Sequence, residues 1–286
     1  MKKYLYLMRV HHYIKNILIF MPLIFSGNLT DRRKFTATLL GMIAFSLVTS
    51  AVYIINDIRD AEKDRMHPTK KNRPIASGAV TPFHAVALMV FILIAAVVLL
   101  VVSDATAGSY ALVILYLFIN VAYSMGLKDV PLLDVTILAS GFSLRVLFGA
   151  VLTGTEVSEW LYLTVLSGAF YFSLGKRRNE LQKKKNGDTR KVLKYYTRDF
   201  LDKNMYMCLA LLNTFYALWC KDITNAGMEY AMWTVPIVIL ICMKYSLTVE
   251  GNSEGDPVEV LLHDRVLMAL CVVYGIVMIG MLYFGA

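Results

Sequence analysis

Asn56, Asp57, Asp60 and Asp64 follow directly on a long apolar run. Asp57, Asp60 and Asp64 stand at i, i+3 and i+7, a spacing that predicts three carboxylates on one face of a helix. Like charges so placed repel, and a divalent cation relieves them. Arg59, Lys63 and Arg65 are interleaved with these acids, and Lys70, Lys71 and Arg73 follow in the Pro-bounded segment HPTKKNRP. Oxygen-only donors beside guanidinium and ammonium groups point to magnesium carrying a substrate phosphate. The competing reading is a solvated helix end laced with ion pairs; the basic segment that follows weighs against it.

Three further groups of charges have the types that bind phosphate. Lys128, Asp129 and Asp134 open an apolar run, with Tyr123 just ahead of them, and Arg145 lies deeper in the same run. An arginine inside a membrane is costly and marks an ion pair or a functional site. GKRRNEL carries Lys176, Arg177 and Glu180, where plain topology-setting charge is the alternative. GDPVEVLLHDRVL carries Asp256, Glu259, Asp264 and Arg265, where Asp256 or Asp264 also suits the start of a helix. His11, His12, His67, His84 and His263 show no ligand spacing. The sequence has neither a Gly-x-Ser-x-Gly turn nor a Walker-type phosphate loop. Cys208, Cys220, Cys242 and Cys271 sit in or beside apolar runs without a Cys-x-x-Cys pair, as small buried side chains do.

The elements that must position these residues are membrane helices. The 286 residues are 57% hydrophobic and only 17% charged, against about 45–50% and about 25% in soluble domains. Nine apolar runs, near 14–30, 36–55, 83–102, 107–126, 132–152, 160–175, 204–220, 230–248 and 265–285, approach the roughly 20 residues that cross a bilayer. The first is interrupted by Lys15, Asn16 and Pro22. An all-α polytopic bundle of about nine spans, in one domain over 1–286, is expected. The net charge of +8 resides mainly in segments 56–82 and 176–203. The positive-inside rule puts both in the cytoplasm and excludes a nucleic-acid reading of the charge. DRRK at 31–34 runs against that orientation. The polar site is expected on the cytoplasmic side of a prokaryotic inner membrane, since the aspartates follow a span.

The order of these groups resembles the UbiA-type prenyltransferase superfamily, whose first aspartate-rich motif is similar to N-D-x-x-D-x-x-x-D at 56–64. Within it, the likeness runs to the polyprenyl-phosphate phosphoribosyltransferase branch, to which the decaprenyl-phosphate enzymes of cell-wall arabinan synthesis belong. It is carried by YIKNILIF (13–20), AVYIINDIRDAEKDRMHPTKKNRPIASG (51–78), LK with a carboxylate (127–134), GKRRNEL (175–181), YYT (195–197) and DPVEVLLHDRVL (256–267). The resemblance implies a magnesium-dependent transfer of 5-phosphoribosyl from phosphoribosyl pyrophosphate (PRPP) to a polyprenyl phosphate in the bilayer. It implies Asp57, Asp60 and Asp64 as catalytic metal ligands. It implies Asn56, Lys15, Lys70, Lys71, Arg73, Tyr123, Lys128, Asp134, Lys176, Arg177 and Arg265 as substrate-binding residues. Asp129 and Asp134, five residues apart, fall about 140° apart on a helix, so a symmetric second metal clamp is not implied. The alternatives are a prenyltransferase that uses a prenyl diphosphate donor and an aromatic or other acceptor and, at lower weight, a transporter.

Overall fold

A computed structural model describes residues 2–67, 70–182, 191–225, 230–251 and 257–284. Among these residues every regular element is helical. In chain order they are α1 (Lys2–Met8), a 3-10 segment Val10–Phe20, α2 (Met21–Phe25), α3 (Arg32–Arg59), α4 (Ala61–Arg65) and a 3-10 turn Lys70–Asn72. Then follow α5 (Pro82–Val102), α6 (Ala107–Met125), a 3-10 turn Leu127–Asp129, α7 (Leu133–Thr153) and α8 (Glu159–Gln182). The chain continues with 3-10 Lys191–Tyr195, α9 (Arg198–Asn225), 3-10 Ala231–Thr234, α10 (Val235–Glu250), α11 (Pro257–His263) and α12 (Arg265–Phe284). Each of the nine apolar runs coincides with a helical stretch. Six stretches among the described residues are long and apolar enough to cross a membrane: α3, α5, α6, α7, Ala231–Glu250 and α12.

Local chemistry sets the helix starts. Asp31 caps α3, accepting from the Arg33 and Lys34 amides at 2.9 and 3.1 Å. Thr81 caps α5 ahead of Pro82, and Thr106 caps α6. Asp264 caps α12 through the Val266 and Leu267 amides at 3.1 and 3.0 Å, as the sequence allowed. Asp256, the other capping candidate, lies outside the described residues.

Two compact units emerge. The first comprises Met1–Leu23, Asn28–Leu127 and Leu144–Thr155, and the second Ile24–Gly27, Lys128–Ser143 and Glu156–Ala286. In the first, α3 is the axis: Ala44, Phe45, Val48, Ala51, Val52 and Ile54 are buried along it, against α5, α6, the Val10–Phe20 segment and α1. Close packing depends on Gly149, where a Cβ would stand 2.0 Å from the Ile19 carbonyl oxygen. Arg145 is buried in this unit. Its Nε donates to Asn16 Oδ1 at 2.6 Å, one Nη to the Tyr116 hydroxyl at 3.2 Å, and its guanidinium lies 5.5 Å from the Phe45 ring. A buried polar network thus holds the charge.

In the second unit, α8 packs along α9. Gly168 and Gly175 on α8 face Leu212 and Met205 of α9, the small residues that let membrane helices approach closely. A core of Val135, Tyr171, Leu174, Leu201, Met205 and Leu267 fills this unit. α5 buries Ala85, Ile92, Ala96 and Leu100 and exposes Phe91, Ile94, Val98 and Val102. An apolar helix face with an apolar surround is stable in lipid, where its backbone is satisfied internally. The protein is an integral membrane protein.

Candidate active site

The first aspartate segment lies where α3 ends. α3 stops at Arg59; Asp60 (φ −89°, ψ 4°) joins it to α4, and i→i−4 bonds from Asp60 to Asn56 and from Asp64 to Asp60 carry the winding across the joint. The expected shared face is kept by two carboxylates. Asp57 and Asp64 are both buried, and both accept from Nη1 of Arg73, at 3.3 and 2.7 Å. Asp57 also accepts from Nη2 of Arg9 at 2.7 Å. Three acids are not gathered into one cage: among the described residues no group of three His, Cys, Asp or Glu side chains stands close enough to hold a metal. The physical reason is the break at Asp60 together with the Arg73 guanidinium, which draws in the two carboxylates either side of the break.

The donor set nevertheless fits magnesium. Two hard carboxylate oxygens converge on a single cationic nitrogen, so that position already suits positive charge. Magnesium is commonly held by one or two carboxylates, with substrate phosphate and water completing its shell. Asp57 and Asp64 are the residues that would hold such an ion.

The other expected residues of the first unit lie as follows. Asn56 accepts from the Ser124 hydroxyl through its Oδ1. Lys15 and Tyr123 are half-buried, and Lys70 and Lys71 are exposed. Arg65 donates to the Ala76 carbonyl at 3.2 Å, pinning the basic loop. Pro68 and Thr69 of the HPTK string lie outside the described residues.

Sequence reasoning does not single out Arg9, His11 and His12. With Tyr6, Asp57 and Arg73 they line a cavity of about 180 Å³. Arg9 sits between α1 and the Val10–Phe20 segment with φ 52° and ψ 48°. Its guanidinium stacks 4.5 Å from the Tyr53 ring centroid. A usable signal is present: Arg9, His11 and His12 are cationic or donor side chains clustered just ahead of YIKN. They escape a motif reading because they have no metal-ligand spacing.

In the second unit, Asp134 and Arg177 are fully buried and paired, Nε to Oδ2 at 2.5 Å. The Tyr196 hydroxyl donates to Asp134 at 2.6 Å and accepts from the Leu132 amide at 2.7 Å. Burial, with the Asp134 hydrogen bond next, pushes the Tyr196 phenol up to about 12. Glu180, expected beside Lys176, also pairs with Arg177 at 2.7 Å. Arg178 meets Asp202. Lys128 and Lys176 are half-buried and Arg265 is exposed. Asp264 bonds Lys244 at 2.7 Å, and that contact, with the Thr248 hydroxyl and the Leu267 amide, holds its carboxyl well below the usual range.

Residues 17–257 match the UbiA prenyltransferase family. Decaprenyl-phosphate phosphoribosyltransferases of Corynebacterium glutamicum and Mycolicibacterium smegmatis are 32% and 33% identical to this chain, covering 95% and 92% of it and 84% and 86% of their own lengths. That of Mycobacterium tuberculosis is 34% identical, over 82% of this chain and 78% of its own. Among solved structures, a UbiA homologue from Archaeoglobus fulgidus bound to GPP and Mg2+ shares the fold, with a TM-score of 0.74 at 18% identity, covering 97% of this chain and 99% of its own. A UbiA homologue from Aeropyrum pernix does so at 0.62 and 18%, covering 92% and 97%. Helices that end in paired aspartates, relatives a third identical over most of their length and a common fold agree: the chain belongs to the UbiA prenyltransferase family.

Proposed function

We propose that this protein transfers the 5-phosphoribosyl group of PRPP to a polyprenyl phosphate, giving polyprenylphosphoryl-5-phosphoribose and pyrophosphate. One observation carries the choice of substrates: the relatives that match over most of the chain are decaprenyl-phosphate phosphoribosyltransferases. The geometry supports it with an acid–guanidinium cluster at the end of an apolar helix, where a soluble donor can meet a lipid-borne acceptor. We take residues 1–286 as one catalytic domain, facing the cytoplasm from a prokaryotic inner membrane.

An oxygen of the acceptor phosphate attacks ribose C1 as the bond from C1 to the diphosphate oxygen breaks. Pyrophosphate leaves with that electron pair, and in-line attack inverts C1. The transition state has oxocarbenium character, as in other glycosyl transfers. No general base is required, because a phosphate monoester is already anionic near pH 7. Asp57 and Asp64 would hold magnesium. When bound there, magnesium supplies positive charge to the departing diphosphate. Arg73, which bridges both acids, turns its fork to a diphosphate oxygen. Asn56, fixed by Ser124, orients the ribose. Lys15, Lys70, Lys71, Tyr123, Lys128, Lys176 and Arg265 are candidates for the remaining phosphate contacts. Asp134 and Arg177 neutralise one another in a buried pair, which favours a structural role over substrate contact.

The test uses purified protein in proteoliposomes with magnesium, ribose-labelled PRPP and decaprenyl phosphate. Label moving into the lipid phase, with one pyrophosphate released per transfer, is the expected result. Label that stays in water, while a labelled prenyl diphosphate is consumed onto an acceptor, would overturn the reading in favour of prenyl transfer.

A further inference from the structure

The cavity beside Asp57 has a composition that the aspartate motif does not explain. Four of its walls, Arg9, His11, His12 and Arg73, offer nitrogen donors, against one acid, Asp57. At about 180 Å³ it has the volume of roughly six waters. That is larger than an ion pair needs and enough for a phosphate group with part of what it is attached to.

Arg9 is built as a ligand-binding arginine is built. Non-glycine residues rarely take left-handed backbone angles, and where they do the strain gathers at ligand sites. Here it turns the chain so that α1 ends and the guanidinium points back to α3. Tyr53 stacks on the guanidinium and fixes the plane of its fork. The bond to Asp57 uses Nη2, and a guanidinium has five N–H donors. His11 and His12 lie with ring centroids 4.2 Å apart, and His11 is exposed. A purely structural Arg9–Asp57 pair would account for the bond; it would not account for a donor-lined cavity around it.

We propose that Arg9, His11 and His12 form a subsite for a phosphate monoester, beside the diphosphate position at Asp57, Asp64 and Arg73. Resting on the phosphoribosyl-transfer reading, the inference names two monoesters of the reaction, the 5-phosphate of the donor and the terminal phosphate of the lipid acceptor. Such a group carries close to two negative charges and three acceptor oxygens at pH 7, which the Arg9 fork and the two imidazoles match.

The experiment measures equilibrium binding to the full-length protein in nanodiscs, with ribose 5-phosphate, pyrophosphate and decaprenyl phosphate as separate ligands. The variants are Arg9→Met, Arg9→Lys, His11→Ala and His12→Asn. Thermal unfolding of each checks the fold, and the exposed His11→Ala keeps the test valid if the Arg9 variants unfold. Ribose 5-phosphate affinity falling about tenfold or more in Arg9→Met, with a smaller loss in His11→Ala and pyrophosphate binding unchanged, supports the subsite and assigns it to the donor. The same loss confined to decaprenyl phosphate supports it and assigns it to the acceptor. Folded variants that bind both monoesters like the wild type, or that lose only pyrophosphate, overturn it. Were that to happen while the wild type still labels lipid from PRPP, the subsite alone falls. Arg9-dependent binding of ribose 5-phosphate without any transfer would instead sink the parent reading and leave the subsite standing.

Discussion

Arg73 balances two buried carboxylates at once, so its removal has two effects that can be separated. Arg73→Ala leaves Asp57 and Asp64 facing one another; the stability lost should be below the about 3–5 kcal/mol of a fully buried broken pair, since Arg73 retains 24% side-chain exposure. Denaturation in detergent measures that loss, and PRPP binding should weaken in the same variant more than acceptor binding does. Asp57→Asn should insert normally and lose roughly 100-fold or more of turnover; undiminished label transfer would remove Asp57 from the mechanism. Tyr196 gives a pH signature. Burial in the folded protein pushes its phenol up from the ordinary 10.0 to about 12. A raised folded value means that its contribution is complete below pH 10 and fades as pH climbs through about 12. Tyr196→Phe should flatten stability across that window. It should also cost about 1–3 kcal/mol below it, by stripping partners from Asp134 and the Leu132 amide. Asp57 and Asp64 were legible because acids beside an apolar run have few explanations. Arg9 was not: it meets Asp57 across 48 residues of sequence, and nothing local announces such a contact.

At the scale of elements, apolar length located the helices but not their ends. α8 runs to Gln182, α9 begins at Arg198 and α3 reaches Arg59, each beyond its apolar run. The extensions carry charges held in ion pairs, Asp57 on α3 and Arg177 and Arg178 on α8, while the backbone continues to wind, so hydropathy falls before the helix stops. The joint at Asp60 was equally hidden, because the i, i+3, i+7 spacing reads as one unbroken helix. Packing between helices supplies a sharper forecast. Gly149→Ala pushes a methyl group onto the Ile19 carbonyl, which is backbone and cannot swing aside, and should cost about 1–3 kcal/mol. Gly275→Ala on α12 meets nothing within 4 Å and should leave the unfolding midpoint unchanged or raise it. Equal losses in the two variants would contradict the close approach at Gly149.

For the molecule as a whole, charge placement forecasts orientation. A membrane-impermeant thiol reagent should reach Lys71→Cys only in inverted vesicles, and Asp104→Cys, on the exposed α5–α6 turn, only in intact cells. The reverse pattern would place the aspartate site on the other face. The division into two units was not legible from the chain, because α7 contributes to both and the break falls within a single apolar run. The nine runs did foretell the helices, yet the run interrupted by Lys15, Asn16 and Pro22 winds differently from most. Its 3-10 segment Val10–Phe20 rises about 2.0 Å per residue rather than about 1.5 Å. Summed with the five residues of α2, the wound length is about 30 Å, comparable with the hydrocarbon thickness of a bilayer. A hydropathy window tuned to about twenty residues of ordinary coil therefore passes over a stretch whose apolar length is wound into sixteen.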